Sequence, residues 1–219
     1  MLKNLTFVAV SLLGMAATSA ATLPAPSFAS TPSLEQQLSK IMEINKIQET
    51  ATKEVAPEEK PKIKRLICKG CNTYEARTLE VLQDRGITDK NAIATIMGNI
   101  KQESTFIPNI CEGGSRTSYT GCRTGGYGLI QWTSIDRYKG LGYHAAALGK
   151  SASEIETQLD YMFTEYQWKR IQNHMMTPGK SINDYMRLAY SWIGWGIHGA
   201  RTHFAYDYAK RLVLEEVSS

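Results

Sequence analysis

The chain is predicted to fold as an α+β domain that is mainly α. Two observations carry this. Apolar residues recur at i, i+3, i+4 and i+7 in several stretches bounded by cap and turn signals, the pattern of helices with one buried face. A single Gly-rich segment, residues 125–133 (GGYGLIQWT), reads as extended and falls in a loop after the second helix, a short β-hairpin or loop insertion.

The first residues stand apart from that domain. Lys3 precedes an apolar run, and the small residues 16–21 follow it, so residues 1–21 read as a cleaved secretory signal. The run is too short for a comfortable membrane span. Residues 22–66 read as a mobile N-terminal segment. Within it, Ser33 starts a short amphipathic helix over 34–48 with Leu34, Leu38, Ile41, Ile44 and Ile47, and the charged residues 49–65, with Pro57 and Pro61, read as a linker.

Residues 67–219 form the expected domain. Residues 74–85 are helical, with Leu79 and Leu82 inward and Gly86 as the stop. Thr88 or Asp89 caps a helix that runs to Glu103. Ser153 and Glu156 make a capping-box pattern ahead of Ile155, Leu159, Met162, Phe163 and Tyr166. Ser181 and Asp184 open another helix, with Tyr185, Leu188, Ala189 and Trp192 on one side, and residues 199–216 form the last, carrying Phe204, Tyr208 and Leu212.

The net charge of +4 suits an anionic polymer but is too small to point to nucleic acid, and no nucleic-acid motif is visible. Behind an export signal, Cys68, Cys71, Cys111 and Cys122 favour disulfides, either Cys68–Cys71 with Cys111–Cys122 or cross-paired. A four-cysteine zinc site has compatible chemistry, but the spacing of Cys111 and Cys122 suits a second knuckle poorly. His144, His174, His198 and His203 fit no metal spacing, so neither metal nor cofactor is expected. A Cys–His nucleophile at Cys111 or Cys122 is the other enzyme reading, and disulfide pairing would remove it.

Glu103 is the carboxylate placed where catalysis would want it. It lies three residues after Ile100 and seven after Ile96, so its side chain leaves from the apolar face of Ile93, Ile96, Met97 and Ile100. Desolvation and the negative end of the helix macrodipole both raise its pKa, the requirement for a general acid. The bland alternative is a helix-end Glu that turns to solvent or pairs with a Lys or Arg. On the general-acid reading, Glu103→Gln is neutral or slightly stabilising near pH 7.

The paired stretches GNIKQESTFIP and GGYGLIQW, with Ala189-Tyr190 downstream, resemble the phage tail lysozyme family, related to goose-type lysozymes and soluble lytic transglycosylases. The resemblance covers about residues 73–214. It implies a lysozyme-like fold and cleavage of the β-1,4 bond between N-acetylmuramic acid and N-acetylglucosamine in peptidoglycan. Glu103 would be the acid, Gly126, Tyr127, Gly128 and Gln131 would line the groove, and Tyr190 would sit near Glu103. Glu112 and Asp136 are possible second carboxylates by proximity to the motifs. The chain departs from the transglycosylase pattern at LAYSWIGWG, which lacks Asn-Ala-Gly after Ala-Tyr. A transglycosylase yielding 1,6-anhydro products and a non-catalytic wall-binding or virion structural module are the alternatives. The expected partner is the glycan strand, with no nucleic acid and no membrane insertion after signal cleavage. The expected form is an exported monomer, periplasmic or extracellular, or virion-associated if phage-encoded.

Overall fold

Helix α3 (Lys90–Ser104) is the axis of the domain. Asp89 starts it, its carboxylate accepting from the Asn91 and Ala92 N–H groups at 2.9 Å each. The expected single apolar face understates its surroundings, because every residue from 92 to 100 is buried. A helix enclosed on all sides is a core helix. Along it pack α2 (Thr73–Asp84), α7 (Ile182–Ile193) and α8 (Arg201–Arg211). The computed structural model describes residues 32–51, 62–123 and 125–218.

Residues 1–58 and 59–219 form two separate units. The first contributes helix α1 (Leu34–Ala51), whose Leu34, Leu38, Ile41 and Ile44 are exposed. The signal reading of residues 1–21 and most of the linker fall outside the described residues. Among the described residues, no helix is long and apolar enough to cross a membrane.

The second unit is mainly helical with one small sheet. Strand β1 (Lys62–Cys68) pairs antiparallel with β2 (Leu212–Ser218). Two expectations change here: residues 62–65 belong to a strand rather than a linker, and the last helix stops at Arg211. The pairing register supplies the reason, setting Lys64 opposite Glu216 and Arg65 opposite Glu215. Charges that read as solvated linker are complementary across the ladder. The Gly-rich segment, by contrast, is a turn held by single bridges, Cys111 to Tyr127 and Tyr127 to Trp132.

The remaining helices are α4 (Ile135–Leu148), α5 (Ile155–Thr164) and α6 (Tyr166–Met176). Ser181 and Asp184 form the expected capping box on α7. The box expected at Ser153 does not form, since α5 starts with no side-chain cap. Ser153 Oγ turns inward to the Tyr127 hydroxyl at 2.6 Å and accepts from the Tyr119 N–H at 3.1 Å. Buried Glu165 separates α5 from α6, drawn into a two-pronged pair with Arg137 at 2.7 and 3.0 Å. Trp132, Trp168 and Trp192 fill the core, the last two edge to face at 4.9 Å.

Candidate active site

Two successive non-glycine residues in the left-handed region, Thr105 (φ 51°) and Phe106 (φ 65°), end α3. Each costs about 1–2 kcal/mol. Phe106 supports the break because its ring is fully buried against the edge of Tyr208. Ser104 secures the same end. Its hydroxyl donates to the Leu129 carbonyl at 2.9 Å and accepts from the Phe106 N–H at 3.2 Å. The Glu-Ser pair is thereby stitched to the Gly-Leu-Ile-Gln turn.

These constraints leave Glu103 in the last turn of α3, its side chain 14% exposed. Its Oε1 accepts from Arg201 Nη2 at 2.6 Å, and the Arg201 side chain is 5% exposed. Burial raises the Glu103 carboxyl above its ordinary value near 4.5, while the Arg201 and Arg137 charges temper the rise. Burial also lowers Arg201, and the Glu103 charge works against that.

Glu103 and Arg201 face an open cleft of about 660 Å³. The end of α3 contributes Gln102 to Thr105, the disulfide loop contributes residues 110–114, and the turn contributes Ile130, Gln131 and Thr133. The far wall is residues 193–197, where α7 ends. Cys111 pairs with Cys122 and Cys68 with Cys71, so the cysteines are disulfides and the thiol-nucleophile reading is removed. The first bridge braces the 110–114 wall.

The predicted site residues divide. Gln131 lines the cleft, with a left-handed backbone (φ 52°) and its amide Nε2 donating to the Gly128 carbonyl at 2.9 Å. Glu112 also lines it, with Oε2 accepting from the Gly126 N–H at 2.9 Å. Asp136 does not; it is exposed in the first turn of α4. Gly126, Tyr127 and Gly128, expected in the groove, lie behind it and are buried. The Tyr127 hydroxyl is occupied by Ser153 and Thr117, and a Cβ on Gly128 would meet the Gln158 amide at 2.5 Å. These glycines admit side chains from within the protein. Tyr190, expected beside Glu103, is 56% exposed and does not line the cleft; it packs edge to face on Trp195 at 5.1 Å.

Three contributors were not anticipated. Arg201 was not singled out, but it is the Lys or Arg partner that the bland alternative gave Glu103; it occupies the place expected for Tyr190, with Trp195 stacked on its guanidinium at 4.8 Å. Gln158, fully buried on α5, holds the turn from behind, accepting from the Leu129 N–H at 2.8 Å and donating to the Pro108 and Ala152 carbonyls. Arg137 ties the far wall, donating to the Ile193 carbonyl at 3.3 Å. Only Arg201 left a local signal, a cation in the first turn of a helix, where the macrodipole disfavours it.

A family match over this mainly α domain makes it a member of the lysozyme-like class of peptidoglycan hydrolases. Residues 74–194 match the family model described as phage tail lysozyme. The chain belongs to that family. No match was found among curated proteins.

Proposed function

We propose that the protein is a muramidase, hydrolysing the β-1,4 bond between N-acetylmuramic acid and N-acetylglucosamine with Glu103 as general acid. The observation that carries this reading is the desolvated Glu103 carboxyl at the end of α3, open to the cleft. A carboxyl whose proton is held by burial donates it to the leaving glycosidic oxygen as an oxocarbenium-like transition state develops. Gln131 is suited to binding sugar hydroxyls, and Glu112, the other carboxylate on the cleft, to orienting the attacking water. The protein acts as an exported monomer on wall glycan, or as part of a virion if phage-encoded.

One observation favours a lytic transglycosylase instead: one oxygen of Glu112 is already engaged by the Gly126 N–H. In that reaction the sugar's own 6-hydroxyl attacks and Glu103 serves as acid and then base. Digestion of purified peptidoglycan tests both. Glu103→Gln should lower the rate about 10²–10⁴-fold. Fragments from the parent enzyme should carry reducing ends. Anhydro ends would select the transglycosylase, and a Glu103→Gln variant working at the parental rate would remove Glu103 as the acid. An inactive parent that still binds wall would make the chain a binding module.

A further inference from the structure

Glu103 and Arg201 each sit at the helix end that repels them. Glu103 lies in the last turn of α3, where the carbonyl ends make the field negative. Arg201 is the first residue of α8, at that helix's positive end. Both side chains are largely removed from water. Neither residue's own helix favours its charge, and the pair forms because the end of α3 lies at close range beside the start of α8, where each meets the opposite field. Gly98 makes that range possible, since a Cβ there would lie 2.6 Å from the Ala205 nitrogen.

Arg201 is also held from its other side. The Trp195 ring covers the guanidinium at 4.8 Å, and Trp195 is itself braced edge to face by Tyr190 and by His198. Arg201 Nε and Nη1 are buried without a hydrogen-bond partner among the described residues. A buried guanidinium that leaves such donors unpaired is poorly explained by stability alone. Trp195 and Arg201 lie outside residues 74–194, the segment that matches the family model.

We propose that Arg201 is the positioning residue of this site: clamped under Trp195, it fixes the Glu103 carboxyl through Oε1 and leaves Oε2 as the oxygen that meets the substrate. The inference rests on Glu103 being the general acid. A planar guanidinium anchored on two sides allows the carboxyl less rotation than a lysine ammonium would. The charged groups around Glu103 are Arg201 on α8, Arg137 on α4 with its partner Glu165, and Glu112 across the cleft. Arg201 is the one bonded to Glu103.

The test is the pH dependence of initial rates on solubilised peptidoglycan for the parent, Glu103→Gln, Arg201→Gln, Arg201→Lys and Trp195→Ala. Removing the Arg201 charge stabilises the protonated Glu103, so in Arg201→Gln the alkaline limb of kcat moves to higher pH. With the carboxyl no longer held, kcat falls about 10–100-fold at little change in KM. Arg201→Lys keeps the limb near its parental position and recovers part of kcat. Trp195→Ala admits water to the pair and moves the limb to lower pH. That opposite shift keeps the inference testable if Arg201→Gln fails to fold. An inactive Glu103→Gln beside parental kcat and limb positions in the folded Arg201 and Trp195 variants would overturn the positioning role and leave the acid assignment standing. An active Glu103→Gln would remove the assignment itself.

Discussion

Gly98→Ala sets intrinsic helix preference against packing, and the two predict opposite signs. By propensity alone, alanine in the middle of α3 should stabilise the protein by about 1 kcal/mol. In place, its Cβ would lie 2.6 Å from the Ala205 nitrogen and 2.9 Å from both the Ala205 Cα and the Arg201 carbonyl oxygen. All three are backbone atoms of α8, so no rotamer change relieves them. Ordinary contact requires roughly 3.5 Å or more, so the helices must part by roughly 1 Å. Overpacking of this kind costs about 1–3 kcal/mol against a propensity gain of about 1 kcal/mol, leaving a net loss of up to about 2 kcal/mol. The same displacement stretches the 2.6 Å bond between Arg201 and Glu103 beyond hydrogen-bond reach. Wall-degrading activity should therefore fall at least about tenfold, more than the stability change alone explains. Urea unfolding midpoints and initial rates on purified wall measure both quantities. A variant as stable and as active as the parent would refute the close-packing argument and the dependence of the site on it.

Glu103→Gln should be neutral or slightly stabilising near pH 7, because the raised carboxyl favours a neutral side chain there even with Arg201 in place, and the Gln oxygen still accepts from Arg201. A urea midpoint clearly below the parent's would contradict it. Since burial raises Glu103, its contribution is most favourable below about pH 4.5 and declines as pH rises through the raised value. Glu75 has the opposite sign. Burial works to raise it, but hydrogen bonds from Tyr208 and the Asn72 N–H, with the charges of Lys101 and Arg211, hold it below its ordinary value. Its contribution is present above about pH 4.5 and is lost as pH falls through the lowered value; Glu75→Gln should cost about 3 kcal/mol at pH 7, with the gap to the parent closing in acid unfolding. Replacing Cys111 and Cys122 by serine should cost about 3 kcal/mol and reduce activity at temperatures where circular dichroism still shows folded helix; equal melting points would count against it. Gln158→Leu strands the Leu129 N–H and the Pro108 and Ala152 carbonyls, so it should cost about 3 kcal/mol or more, read from urea unfolding.

Local sequence determined what depends on residues a few positions apart. Asp89 and the Ser181–Asp184 box announce α3 and α7, because a cap satisfies N–H groups within one turn. The spacing from Ile96 and Ile100 to Glu103 was enough to bring an acid out of water at a helix end, since the period of 3.6 is a local property. Tertiary structure decided which distant groups meet there. Arg201 stands 98 residues after Glu103, and Gln158 is 29 after Leu129. Residues 62–65 read as linker until residues 215–218 lie beside them. Tyr127 and the glycines around it looked like groove in the sequence, yet they turn inward because Ser153, Thr117 and Gln158 occupy the space behind the turn. A charge at the wrong end of a helix is a local cost that only a distant opposite charge can offset. That partner is chosen by how closely two helices pack, and here the packing turns on the missing Cβ of Gly98.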